Sequence, residues 1–155
     1  MSLLKSIINY TIWANNTIWR ITEKLTKEEF SRDFDKTGGS IRRRYIHLAE
    51  DTCEWYHDWH SENPKKPDFL GMTRNDLYKF MMDYIMKWRN LIDEQTVNSF
   101  KDERNGKVVT ITLDEMIFHL ANHHTYHRGQ IVMGLRLLGK NVEMTDYVPY
   151  RFKPV

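Results

Sequence analysis

The segment from His119 to Gln130 reads HLANHHTYHRGQ and carries four of the chain's seven histidines. Successive residues of an α-helix are rotated by about 100°. His123 and His127, four apart, therefore sit one turn apart and within about 40° of each other, so both imidazoles reach a common point. His119 lies one further turn back on the same side. His124 is turned about 100° from His123 and is expected to point elsewhere, partly exposed, as a bystander. A pair of imidazoles holds a divalent ion weakly, and paired histidines on a helix are equally well read as solvated or hydrogen-bonded groups. The case for a metal turns on a third ligand.

The stretch from about Ile41 to Ser61 offers His47, His57 and His60. Relative to His47, the other two are rotated by about 80° and about 140°, so the three do not share a face. His57 and His60 fall in the charged run EWYHDWHSEN near the end of the stretch, where a histidine complements the helix dipole. His47 lies among apolar neighbours and is either a neutral core histidine or the third inward ligand. Three neutral imidazoles suit Zn²⁺, Ni²⁺, Co²⁺ or Fe²⁺ with a coordination position left for water or substrate. Such a centre acidifies a water or thiol and polarises a substrate oxygen. Glu50, Asp51 and Glu54, one or two turns beyond His47, could add a ligand, a base or a hydrogen-bond partner, although surface charge alone accounts for them.

Other residues take supporting readings. Arg42, Arg43 and Arg44 place three cations near a helix N-terminus, against the macrodipole. One of them could pair with Asp33 or Asp35. Arg43 precedes His47 by four, on the same face; it reads first as a solvated arginine, with reach toward the metal pocket to bind an anionic group of a ligand as the alternative. Cys53 is rotated about 120° from His47 and reads as a small core residue. Arg128 and Gln130 are expected to brace the bundle or a dimer. Gly129 and Gly134 each cost about 1 kcal/mol inside a helix, so another helix is expected to approach them closely.

Four stretches with apolar residues at helical spacing must position these groups. The first runs from Ser2 to about Leu25. A loop, TKEEFSRDFDKTGGS, leads to Ser40, an N-cap for the second stretch. The break NPKKPDFLGM is a loop. Thr73 opens the third stretch, with Asp76 as the partner of a capping box and Leu77, Phe80, Met81, Tyr84, Ile85, Trp88, Leu91 and Ile92 as its stripe. Asn105-Gly106 marks a turn between short extended pieces. Thr112 and Glu115 form a capping box for the fourth helix, which runs to Leu138 and stops at Gly139. In the tail, Tyr147, Tyr150 and Phe152 are expected to pack back on the bundle. The fold class is all-α: a four-helix bundle with a short hairpin or extended excursion before the last helix.

At 155 residues the chain is expected to form one domain, 1–155. Its net charge of +2 does not supply the clustered basic face of a nucleic-acid binder, and none is expected as a partner. A single cysteine, Cys53, rules out an intrachain disulfide framework and suits a reducing compartment. The opening MSLLKSIINYTIWANN is interrupted by Lys5, Ser6 and Asn9 and does not read as a signal peptide. No apolar run is long enough for a membrane span, so cytoplasmic residence is expected.

Several of these segments together resemble the DinB-like (DNA-damage-inducible) family of four-helix-bundle metalloproteins. YTIWANN (Tyr10 to Asn16) is similar to that family's first-helix signature, and HLAEDTCEW (His47 to Trp55) to its second-helix segment. NHHTYHRGQ (Asn122 to Gln130), followed by LRLLG, is similar to its strongest motif, and TDY (Thr145 to Tyr147) to its ending. The resemblance covers nearly the whole chain. It implies a divalent metal held by His47, His123 and His127, the triple that the facing argument also favours. His119 would then be placed to hydrogen-bond a ligand from outside the set. It implies Zn or Ni first, with Fe, Co or Mn as alternatives. The family's relatives include bacillithiol-, mycothiol- and glutathione-dependent transferases and isomerases, and homodimers are common. The expectation is therefore a metal-dependent transferase or hydrolase, with thiol-dependent transfer leading and a small molecule or low-molecular-weight thiol as substrate. The alternatives are a non-catalytic metal-binding dimer of a stress response, or a structural bundle with core histidines.

Overall fold

Ser2, Ser40, Thr73 and Thr112 each accept a hydrogen bond from the backbone N–H three residues on and so open the four long helices. At Thr73 and Thr112 the box is complete, because Asp76 and Glu115 reach back to the N-cap backbone. The computed structural model describes residues 2–34, 39–94 and 99–152. In chain order the elements are α1 (Leu3–Thr22), α2 (Lys27–Ser31), α3 (Ile41–Trp59), α4 (Arg74–Asp93), β1 (Ser99–Arg104), β2 (Lys107–Thr112), α5 (Leu113–Leu137) and α6 (Tyr147–Arg151).

The expected four-helix architecture is present. α1 and α3 each lie against both α4 and α5. Their inward stripes supply Ile8, Ile18, Leu48, Leu77, Met81, Ile85, Trp88, Ile117, Leu120 and Leu135, all essentially without exposed surface. Each side chain of that size contributes about 1.5–3 kcal/mol on burial. The excursion before α5 is an antiparallel hairpin with Ser99 opposite Thr112 and Arg104 opposite Lys107. Asn105 and Gly106 both have positive φ, 53° and 74°, as a two-residue turn of this hand requires. β2 runs directly into α5. α5 stops where expected: Gly139 has φ 73°, its N–H donates to the Arg136 carbonyl, and the Lys140 N–H donates to the Leu135 carbonyl.

Three expectations need correction. The segment after α1 is not all loop, because Thr26 and Glu29 form a complete capping box for the short α2, whose Phe30 is buried. In the tail, α6 carries Tyr147 and Tyr150 onto Tyr10, with ring centroids 5.3 and 5.8 Å away, but Phe152 is 84% exposed. Gly134 does face a neighbouring helix: a Cβ there would stand 3.0 Å from Ile41 Cγ1. At Gly129 a Cβ would meet nothing within 4 Å, so among the described residues no helix explains it. Among the described residues no helix is long and apolar enough to cross a membrane.

Candidate metal centre

α3 and α5 pack side by side, and the rotation of each decides which histidines meet. His47, from the middle of α3, faces His123 and His127, one turn apart on α5. One ligand nitrogen from each lies within 4.8 Å of the other two. The Nε2 atoms of His47 and His127 are 3.0 Å apart. His123 packs its ring 5.1 Å from His47 and 4.5 Å from His127, centroid to centroid.

Neighbouring groups fix the rings. His127 Nδ1–H donates to Gln130 Oε1 at 2.7 Å, which leaves the Nε2 lone pair directed at His47. Asp51 lies between the other two imidazoles, with Oδ1 3.3 Å from His47 Nδ1 and Oδ2 3.4 Å from His123 Nε2. Both contacts are in ion-pair range, and among the described residues the buried His123 Nε2 has no hydrogen-bond partner. Burial is the first cause holding all three imidazoles below the usual histidine range, His123 down to about 3. The charges of Arg44 and Arg43 also lower His47, and that of Arg44 lowers His127. The three are therefore neutral near pH 7, the state that ligates metal. Burial, followed by the charge of Glu54, raises Asp51 to about 6, a push that a cation beside it would oppose.

These residues fit a divalent ion. Ligand nitrogens about 2.0–2.1 Å from a tetrahedral zinc stand roughly 3.3 Å apart, close to the His47–His127 spacing. Nε2 of His127 is an acceptor because Gln130 takes the Nδ1 proton. The same holds for His47 when its Nδ1 proton points at Asp51. Without a metal the two Nε2 atoms 3.0 Å apart share one hydrogen bond and His123 Nε2 has no partner among the described residues, whereas one cation would satisfy all three nitrogens together.

His124 contradicts its expected exposure. It has no exposed surface and is fully hydrogen-bonded. Asn15 Nδ2 donates to its Nδ1 at 3.1 Å, and its Nε2–H donates to Thr52 Oγ1 at 3.1 Å. Thr52 in turn donates to the Leu48 carbonyl at 2.6 Å. Asn15 Oδ1 accepts from Arg128, only 3% exposed, which also donates to Tyr10 and Thr125 hydroxyls. This buried network ties α1, α3 and α5 together. Arg128 thus braces the bundle, as expected, whereas Gln130 holds a histidine of the cluster.

The remaining residues sort by position. His119 is exposed, its ring 4.4 Å from that of Trp55 and 5.9 Å from that of His123. His57 is tied to Tyr84 and Glu62 at 2.8 and 2.7 Å, while His60 is exposed and bonds the Tyr56 carbonyl. Glu50 and Glu54 both pair with Lys66, leaving Asp51 as the carboxylate at the cluster. Cys53 is a buried free thiol. Arg42 donates to the Leu70 and Met72 carbonyls and anchors the loop before α4. No ion pair joins Asp33 to these arginines among the described residues. Asp35 lies outside them.

The fold and the cluster define a helical bundle with three histidines, from two of its helices, placed to hold a metal. The chain belongs to the DinB family, whose model matches residues 1–153. Protein DinB of Bacillus subtilis (strain 168) is 24% identical over 158 residues, covering 94% of this chain and 92% of that protein. The solved structure of YfiT from Bacillus subtilis, described as a probable metal-dependent hydrolase with an unusual four-helix bundle topology, matches with a TM-score of 0.66 over 91% of each chain at 14% identity. At that identity the likeness shows the fold.

Proposed function

We propose that the protein is a metal-dependent enzyme, a transferase or hydrolase acting at the His47–His123–His127 cluster, with thiol-dependent transfer as the leading class. The observation that carries this reading is the convergence of three neutral imidazole nitrogens within 4.8 Å. When bound, a divalent ion acidifies a water or thiol and polarises a substrate oxygen. The chain's own groups do the rest. His47, His123 and His127 hold the ion, and Zn or Ni suits them best. Gln130 fixes the tautomer of His127, and Asp51 aligns His47. His47, with a partly exposed side chain, leaves an approach from the groove side. The family resemblance favours a low-molecular-weight thiol as co-substrate, a homodimer and a cytoplasmic setting. The description of YfiT favours hydrolysis as the second reading.

Metal analysis of protein purified without a histidine tag, wild type beside His123→Ala, tests the site. One equivalent of metal in the wild type and loss in the variant are expected. Stoichiometric metal in the variant would remove the ligand assignment. Thiol-transfer and ester-hydrolysis assays on the loaded protein, with and without chelator, then separate transferase, hydrolase and simple binder.

A further inference from the structure

The first turn of α3 contains no acidic residue, yet it carries Arg42, Arg43 and Arg44 where cations oppose the helix dipole. Packing accounts for Arg42, through its bonds to two loop carbonyls. Arg43 and Arg44, with Arg42, line a groove of about 650 Å³ that His47 also lines. Its carboxylate, Glu50, is paired with Lys66. Among the described residues, nothing hydrogen-bonds or ion-pairs with the exposed Arg43 guanidinium. Its stem is nonetheless placed: Gly39, at φ 107°, leaves room for Arg43 Cδ, which would stand 3.0 Å from a Cβ there. A guanidinium fork held beside a histidine cluster and lacking its own acceptor suits a carboxylate or phosphate.

We propose that this groove binds the substrate through an anionic group, carboxylate or phosphate, gripped by Arg43 with Arg44 beside it, while the reacting end of the molecule reaches the histidine cluster. The inference rests on the metal-site reading and names the substrate class for it: small acids rather than neutral or cationic molecules. Arg43 is a binding residue here and takes no part in holding the metal.

The test uses the full chain loaded with cobalt(II), whose visible spectrum reports ligands entering the metal's coordination. Two matched probes are titrated, 3-mercaptopropionate and its neutral amide. The acid is expected to bind about tenfold tighter or more, the gain from one charge-assisted hydrogen-bonded pair. Arg43→Met is expected to remove most of that preference while leaving cobalt stoichiometry and the affinity for the amide unchanged, and Arg43→Lys to restore part of it. Inorganic phosphate is expected to compete with the acid in the wild type and not in Arg43→Met. Equal affinities for acid and amide in the wild type would overturn the inference alone. A preference for the acid that persists in Arg43→Met would also overturn it, because the carboxylate would then be chelating the ion. Failure of the wild type to bind cobalt would overturn the metal reading, and this inference with it.

Discussion

Replacing Asn15 with Leu tests the buried network beneath the cluster. Asn15 is 5% exposed and serves two partners, accepting from Arg128 and donating to His124. Leucine keeps the approximate volume and removes both functions. Arg128 loses an acceptor for a buried charge, worth about 1.5–3 kcal/mol, and His124 Nδ1 is left unsatisfied at about 1–3 kcal/mol. Leucine recovers part of this through its apolar surface, so a net loss of about 2–4 kcal/mol is expected. Against a total stability of about 5–15 kcal/mol this is severe but survivable. With a urea m-value of roughly 2 kcal/mol/M the midpoint falls by about 1–2 M. The assay is equilibrium urea unfolding of metal-free protein, followed by far-ultraviolet circular dichroism and tryptophan fluorescence. Asn15→Leu combined with His124→Leu is expected to cost clearly less than the sum of the two single changes, because each alone strands the other's partner. A loss below about 1 kcal/mol for Asn15→Leu, the size of an average substitution, would refute the argument. Strict additivity of the pair would refute the coupling.

Three further outcomes are expected. Gln130→Met should keep one equivalent of metal but weaken affinity about 10–100-fold in competition with a chelator, since the change frees the tautomer of His127; unchanged affinity would show that Gln130 does not orient it. Gly129→Ala should stabilise by about 0.5–1 kcal/mol because its Cβ meets open space, whereas Gly134→Val should destabilise by about 1–3 kcal/mol against Ile41; urea unfolding reads both, and the opposite order would contradict the packing of α3 on α5. Phe152→Ser should change stability by less than about 0.5 kcal/mol, and a larger loss by the same measurement would mean that the ring is buried.

Much of the fold was legible because it is written in local chemistry. The four N-caps are Ser or Thr, two of them with an acid three residues on, and Asn105-Gly106 encodes its turn directly. The Thr26–Glu29 box is equally local, but the five residues of α2 are too few to show a helical period. His123 and His127 converge by helix geometry alone, and the partnership with His47 then follows from α3 packing on α5. For His124 the rotation argument gave only half an answer. It turned the ring off the ligand face without saying whether solvent or core lay there. The missing signal was in the same helix: Ile117, Leu120, Ile131 and Leu135 all fall within about 40° of His124, so it sits in the apolar stripe. Its partners, Asn15 and Thr52, come from other helices, and no local pattern announces them. Asp51 is one turn from His47, but only the tertiary structure shows that Lys66 draws Glu50 and Glu54 away and leaves Asp51 at the cluster.

The segment HHTYHRGQ thus serves two faces of α5 at once. His123, His127 and Gln130 build the cluster that meets His47 of α3, while His124 and Arg128 lock into the buried network toward α1. The second set governs the first through rotation. Side-chain tips lie about 5–6 Å from a helix axis, so turning α5 by about 10° displaces a ligand nitrogen by roughly 1 Å, enough to spoil a metal's coordination. Apolar packing alone resists such small turns poorly, because neighbouring rotations bury similar areas. Directional bonds from Asn15 and Thr52 to the two nitrogens of one imidazole do resist them, since each fails within a few tenths of an ångström. On this argument the polar groups beneath the cluster are retained for angular precision rather than for net stability, which an apolar core of the same volume would match or exceed.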